Sequence, residues 1–191
     1  MTPAIAALRP TATRRSALAA GVVLALGPAW AWASDSGDLK RDSRAALQQL
    51  YAANPKAAEL GAKARAVLIF PRVLKAGFMV GGQVGKGVLF KGDHIAGYYR
   101  TSAASFGFQA GAQSFGYVLF FMTPDALAYL QRSDGWAIGV GPSVVVIDKG
   151  MAKSMDTTTL SQAVYAMIFS QQGLMGGVGL QGSKITKIQP S

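Results

Sequence analysis

Gly77-Phe78-Met79-Val80-Gly81-Gly82-Gln83-Val84-Gly85-Lys86-Gly87-Val88-Leu89-Phe90-Lys91-Gly92-Asp93 is the stretch that decides the fold. Residues 77–84 and 88–90 read as short strands, and Lys91-Gly92-Asp93 fits a hairpin turn. Downstream, residues 95–101, 106–113 and 117–122 continue the β pattern. Nineteen of the 23 glycines fall between positions 77 and 182. Glycine weakens a strand, so this density needs bulges, sharp bends or close backbone approach to explain it. A strongly curved or barrel-like antiparallel sheet supplies all three.

Upstream of this stretch the pattern is helical. Asp38 or Ser36 can cap a helix running to about Ala53, with Leu39, Ala46, Leu47, Leu50 and Tyr51 on one face. Lys40, Arg41, Arg44 and Gln48 lie largely off that face. Asn54-Pro55 is a turn followed by a good first-turn proline, and a second helix is expected from Pro55 to about Arg65. Val67-Leu68-Ile69-Phe70 is a buried strand candidate, stopped by Pro71.

Beyond residue 122, Thr123-Pro124-Asp125 starts a short helix ending near Gly135. Residues 136–140, 143–147, 174–181 and 185–188 read as strands, and 160–170 fits either helix or strand. The fold class expected is α+β: a strongly curved or barrel-like antiparallel sheet, N-terminal amphipathic helices and one short connecting helix.

Residues 1–33 have the three-part layout of an export signal. Arg9, Arg14 and Arg15 come first, with no acid; an apolar stretch from Ala17 to Ala29 follows; Ala31-Trp32-Ala33 offers a cleavage site before Ser34. The apolar run is too short to span a bilayer, which needs about 20 residues. Thr13-Arg14-Arg15-Ser16-Ala17-Leu18 partly matches a twin-arginine signal, and an ordinary Sec signal fits as well. The sequence therefore predicts an exported protein, periplasmic or peripheral to the cell envelope, whose residues 34–191 form one domain.

The 191 residues carry a formal net charge of +10. Loss of Arg9, Arg14 and Arg15 leaves sixteen basic residues against nine acidic, a net of +7. Between Lys40 and Arg100 there are eleven basic residues and three acids, Asp42, Glu59 and Asp93. The positive field thus belongs to the first part of the mature chain and suggests an anionic partner. Nucleic acid fits poorly, because an exported protein rarely meets it and no recognised nucleic-acid-binding module is present.

Composition and context disfavour an enzyme. There is no cysteine, His94 is the only histidine, and the acids are single and scattered. Thiolate chemistry and cysteine-based zinc sites are excluded, and no cofactor is expected. Gly177-Val178-Gly179-Leu180-Gln181-Gly182 satisfies G-x-G-x-x-G, but nine strand-like residues follow where a dinucleotide site needs a helix. The glycines from Gly81 to Gly87 imitate a phosphate loop, yet Lys86 is followed by Gly87 rather than a hydroxyl residue. Ser114 in Ala112-Gln113-Ser114-Phe115-Gly116 lacks the strand–turn–helix of a nucleophile elbow, and His94 precedes it.

A helix with one apolar face and basic flanks can lie on an anionic bilayer. Lys40, Arg41 and Arg44 are the first candidate contacts, and Lys63, Arg65, Arg72 and Lys75 extend the patch. The same helix can instead pack its apolar face on the sheet, with its charges solvated.

Three motifs in order resemble the SYLF-domain family. Ala64-Arg65-Ala66-Val67-Leu68-Ile69-Phe70-Pro71, followed by Lys75-Ala76-Gly77 and Gly81-Gly82, looks like its opening signature. Phe108-Gln109-Ala110-Gly111-Ala112-Gln113 resembles its central glycine-rich strand. The stretch from Gly173 through Leu174-Met175-Gly176-Gly177 to Gly182-Ser183 looks like its closing signature. Together they span roughly residues 38–188. The resemblance implies lipid binding. Eukaryotic members sit beside SH3 or FYVE modules, bind phosphoinositides through an N-terminal amphipathic segment, and in some cases bind actin; bacterial members are exported and stand alone. What transfers is affinity for anionic phospholipid or a membrane surface. By position, the amphipathic segment corresponds to residues 38–53, with Lys40, Arg41 and Arg44. An envelope scaffold that binds protein is the alternative.

Overall fold

The computed structural model describes residues 36–147, 161–173 and 179–189; the expected export signal lies outside them. Side chains are described for these residues except 78, 79 and 105–110. The architecture is α+β, with three helices and a strongly curled sheet.

Helix α1 spans Ser36–Ala53 and α2 spans Pro55–Lys63. Asn54 caps α2, its side chain accepting from the backbone N–H of Lys56 and Ala57 at 3.0 and 3.2 Å. The second helix ends two residues earlier than the sequence suggests. Ala64 is extended and donates its N–H to Leu60 O, and the Arg65 N–H is given to Phe121 O at 2.8 Å. The sheet thereby takes the chain before another helical turn can form.

The main departure from expectation is strand length. The short strands expected between residues 67 and 122 are two long ones, β1 (Ala66–Lys91) and β2 (His94–Phe121), joined at Gly92-Asp93. Gly92 has φ +57°, the left-handed conformation that this tight turn requires. Pro71 does not stop β1. The register slips between Phe70 and Val73, so the proline sits at a bulge where its missing N–H breaks no ladder. A further slip falls between Gly77 and Met79.

β2 is the spine. β1 pairs along its whole length; on its other edge, β6 (Lys184–Ile188) pairs with residues 98–102 and β5 (Val164–Gly173) with residues 113–121. The short β3 (Trp136–Ala137) lies beyond β6, and β4 (Val144–Ile147) beyond β5. The sheet is antiparallel apart from β4 with β5, which are parallel. The strand expected over 136–140 is only two residues long, because Ile138 onward turns back, with Val140 N–H on Ala137 O. Residues 160–170 resolve as strand from Val164. The strand expected over 174–181 falls partly outside the described residues, and its end, 179–182, is a turn.

The long hairpin folds back on itself. A Cβ placed on Gly87 would meet Ile69 O at 2.5 Å and the Phe70 ring at 2.6 Å; one on Gly85 would meet the Val73 side chain at 2.7 Å and Arg72 O at 2.9 Å. Residues 85–87 therefore lie directly against residues 69–73 of the same strand, and residues 74–84 form the bend. Only glycine permits this approach.

Strand alternation then makes two cores. Ala66, Leu68, Phe70, Val73, Leu89, Tyr99, Phe115, Tyr117, Leu119 and Phe121 face inward with Trp136, Ile138, Leu180 and Ile185. Helix α3 (Pro124–Arg132), capped by Thr123, adds Ala126, Leu127 and Leu130. On the other face Val67, Ile69, Val88, Phe90, Val118 and Phe120 meet Leu39 and Leu50 of α1 and Ala57 and Leu60 of α2. Each large apolar side chain buried this way contributes about 1.5–3 kcal/mol. The apolar stripe of α1 is thus docked on the sheet. Tyr51 crosses α2 at Gly61, where a Cβ would collide with its hydroxyl.

Candidate functional site

The seven basic residues singled out in the sequence are spread over α1, the end of α2 with the residues that follow it, and β1. Lys40 and Arg41 stand exposed on α1, with Arg41 on Asp38 at 2.8 Å and near Asp42 at 3.7 Å. Lys63 pairs with Glu59 at 2.9 Å, and Glu59 also takes Lys56 at 3.0 Å. Those two hydrogen bonds hold the Glu59 carboxyl below the usual carboxylate range. Arg65 is exposed where α2 hands over to β1. Arg72 is exposed, and Lys75 half-buried, at the start of the bend.

Arg44 differs from the others. Its guanidinium lies over the Phe90 ring, 5.7 Å from the centroid, and donates to Asp93 O at 2.8 Å. It ties α1 to the tip of the long hairpin. Beside it a cleft of about 510 Å³ opens between α1, α2 and the hairpin tip. Leu47, Tyr51, Ala58, Ala62, Val67 and Phe90 give it an apolar lining, and Arg44, Gln48 and Asp93 are polar groups on its wall. Burial pushes the Tyr51 phenol up to about 12, so it stays neutral.

The second feature is the bend itself. Strands β1 and β2 contain no acidic residue and carry Arg72, Lys75, Lys86, Lys91 and Arg100. On the outer face of the bend, Leu74 is 41%, Val80 61% and Val84 37% exposed. Arg72 precedes this apolar run on the same face, and Lys86, paired across the ladder with Arg100, follows it. Sequence reading missed Lys86, Arg100 and the three apolar residues. Splitting the hairpin into short strands hid the period-two alternation that places them together. The absence of acid from residues 60–92 was the signal available.

The inner face holds buried polar groups. Gln83 Nε2 donates to Ser183 Oγ at 2.7 Å. Tyr117 lies beside Thr101, but neither hydroxyl makes a hydrogen bond of good geometry among the described residues; the same holds for Tyr99 Oη and Gln113 Oε1. Burial raises the Tyr117 and Tyr99 phenols, with Thr101 opposing the shift at Tyr117.

The motif exclusions stand on structure. Gly81 to Gly87 lie inside β1, Ser114 lies inside β2 with strand after it, and Lys184–Ile188 after Gly182 is a strand. Among the described residues no group of His, Asp and Glu is placed to hold a metal ion, and no helix is long and apolar enough to cross a membrane.

The SYLF-like motifs occupy structural positions. The opening signature builds the start of β1 and its bend. In the closing signature, Gly173 has φ +114° and sits against Ala112 O, Leu180 enters the inner core, and Ser183 holds Gln83. No curated protein matches the chain. Residues 102–190 match the sequence model of the family described as "Ysc84: Las17-binding protein actin regulator". That match, over just under half of the chain, is consistent with a protein of the Ysc84/SYLF-domain family.

Proposed function

We propose that the protein is a non-enzymatic module that binds anionic membrane lipid peripherally. The observation that carries this reading is the bend of the long hairpin: exposed Leu74, Val80 and Val84, flanked by Arg72, Lys86 and Arg100, on two strands without an acid. An apolar corner between basic flanks suits a bilayer interface, where carbons sit among the head groups and cations meet phosphates. Because the apolar stripe of α1 is docked on the sheet, α1 contributes through its exposed Lys40 and Arg41 rather than by insertion.

Each lysine or arginine near an anionic surface is worth about 1 kcal/mol. Arg72→Gln with Arg100→Gln therefore costs about 2 kcal/mol, roughly a 30-fold loss of affinity. The assay is flotation with phosphatidylcholine vesicles, with and without phosphatidylglycerol. Recovery that ignores vesicle charge, or a double variant that floats like wild type, overturns this mechanism. Comparison with Lys40→Glu/Arg41→Glu separates the contribution of α1 from that of the bend.

A second reading is docking of a protein partner. It is supported by the family description, which names a Las17-binding actin regulator, and by β1, whose only strand neighbour among the described residues is β2. A single dominant cross-linked protein together with no vesicle binding favours it.

A further inference from the structure

We propose that the cleft between α1, α2 and the hairpin tip binds one phospholipid molecule with a zwitterionic amino-phosphate head group, independently of membrane docking through the bend. The cleft, about 510 Å³, has the size of a small-molecule site, roughly 300–1,000 Å³. Leu47, Tyr51, Ala58, Ala62, Val67 and Phe90 give one side of it an apolar wall against which part of an acyl chain can lie. The small side chains of Ala58, Ala62 and Ala64 leave space along its wall that larger residues would fill.

The polar groups on the wall carry opposite charges that do not neutralise each other. Arg44 is held in place by the Phe90 ring and by the backbone carbonyl of Asp93. That hydrogen bond engages one of five guanidinium N–H donors, leaving a planar fork suited to a phosphate. The Asp93 carboxylate has no cation within 4.0 Å among the described basic residues; Arg44 takes the carbonyl of that residue instead. A purely anionic head group would meet Asp93 as a repulsion. A phosphate followed by a primary ammonium satisfies both ends, and Gln48 adds a donor and an acceptor beside them.

The arrangement is built into the fold. Gly92 makes the turn that sets Asp93 beside α1, and Gly61 admits the Tyr51 ring that floors the cleft. The neutral Tyr51 phenol offers a hydroxyl without adding charge.

The experiment is calorimetric titration of the protein with monomeric lysophosphatidylethanolamine, below its aggregation concentration, against lysophosphatidylglycerol of the same chain. Wild type is expected to prefer the amine-bearing lipid at least fivefold. Arg44→Gln is expected to weaken binding of both lipids at least tenfold, and Asp93→Asn to abolish the preference while binding remains. Ala62→Trp, on the exposed side of α2, is expected to block both lipids. Thermal unfolding of each variant checks that it is folded. Absence of binding by folded wild type overturns the proposal, as does equal or reversed preference between the two lipids. Arg72→Gln/Arg100→Gln binds the monomeric lipid like wild type if the two sites are separate. Failure of vesicle binding with intact monomer binding therefore removes the membrane-docking mechanism alone, and the converse removes this one alone.

Discussion

Gly87→Ala tests whether the hairpin is folded on itself. The added methyl would sit 2.5 Å from Ile69 O and 2.6 Å from a Phe70 ring carbon, whereas ordinary contact begins near 3.4 Å. The neighbours are a backbone carbonyl and a fully buried ring, so neither yields without moving the strand. Overpacking of this kind costs about 1–3 kcal/mol. Alanine restricts the unfolded chain and returns about 0.4–1 kcal/mol, leaving a net loss of about 1–2 kcal/mol. For a domain of this size that lowers the melting temperature by roughly 2–8 °C. Gly82→Ala is the matched control on the same strand, since its methyl would find only Ala103 O, at 3.6 Å. The control is expected to gain about 0.4–1 kcal/mol. Urea unfolding followed by circular dichroism measures both. A Gly87→Ala protein as stable as Gly82→Ala refutes the close packing of residues 85–87 on 69–73.

Two further outcomes follow from the charges and hydroxyls. Because Lys63 and Lys56 depress the Glu59 carboxyl in the folded state, its contribution is present above the unfolded value of about 4.3 and disappears as pH falls through the folded one. Glu59→Gln should therefore be less stable than wild type at pH 7, with the gap narrowing as the pH is lowered into the acid range; a gap that does not change with pH, in chemical denaturation, contradicts the assignment. Tyr117→Phe removes a buried hydroxyl without a good hydrogen-bond partner, so its stability should stay within about 0.5 kcal/mol of wild type. A loss above about 1 kcal/mol in the same assay means the hydroxyl is satisfied in solution, and the expectation fails.

Local chemistry was legible in the sequence. The stripe of Leu39, Leu50 and Tyr51, the break at Asn54 with Pro55 opening α2, the Thr123-Pro124 start of α3 and the turn at Gly92 all appear where their residues ask for them. So did the curvature, because glycine density has few other causes in a sheet. What escaped was long-range. Gly85 and Gly87 fell between two expected strands, but β2 pairs straight across them and makes them contact points within one strand. Pro71 looked like a terminator because its tolerance depends on a bulge that only pairing reveals. Of the candidate cations, Arg44 was legible as basic, but its partners lie 46 and 49 positions away at Phe90 and Asp93. No periodicity along α1 could have shown them, nor the cleft that they border.

The order of strands has a kinetic corollary. Thr101 pairs with Ile185, and residues 98–102 of the spine have β6 as their other neighbour. The β1–β2 hairpin can close around its own two-residue turn as soon as residues 66–121 exist, a local event on the microsecond scale. The second edge of its first half stays open until residue 184 has left the ribosome. A nascent chain therefore carries an unpaired edge and an uncovered Tyr99–Thr101 segment through about the last third of its synthesis. Completion of the sheet is deferred to the last strand, so this edge stays open to mispairing until the chain is almost whole.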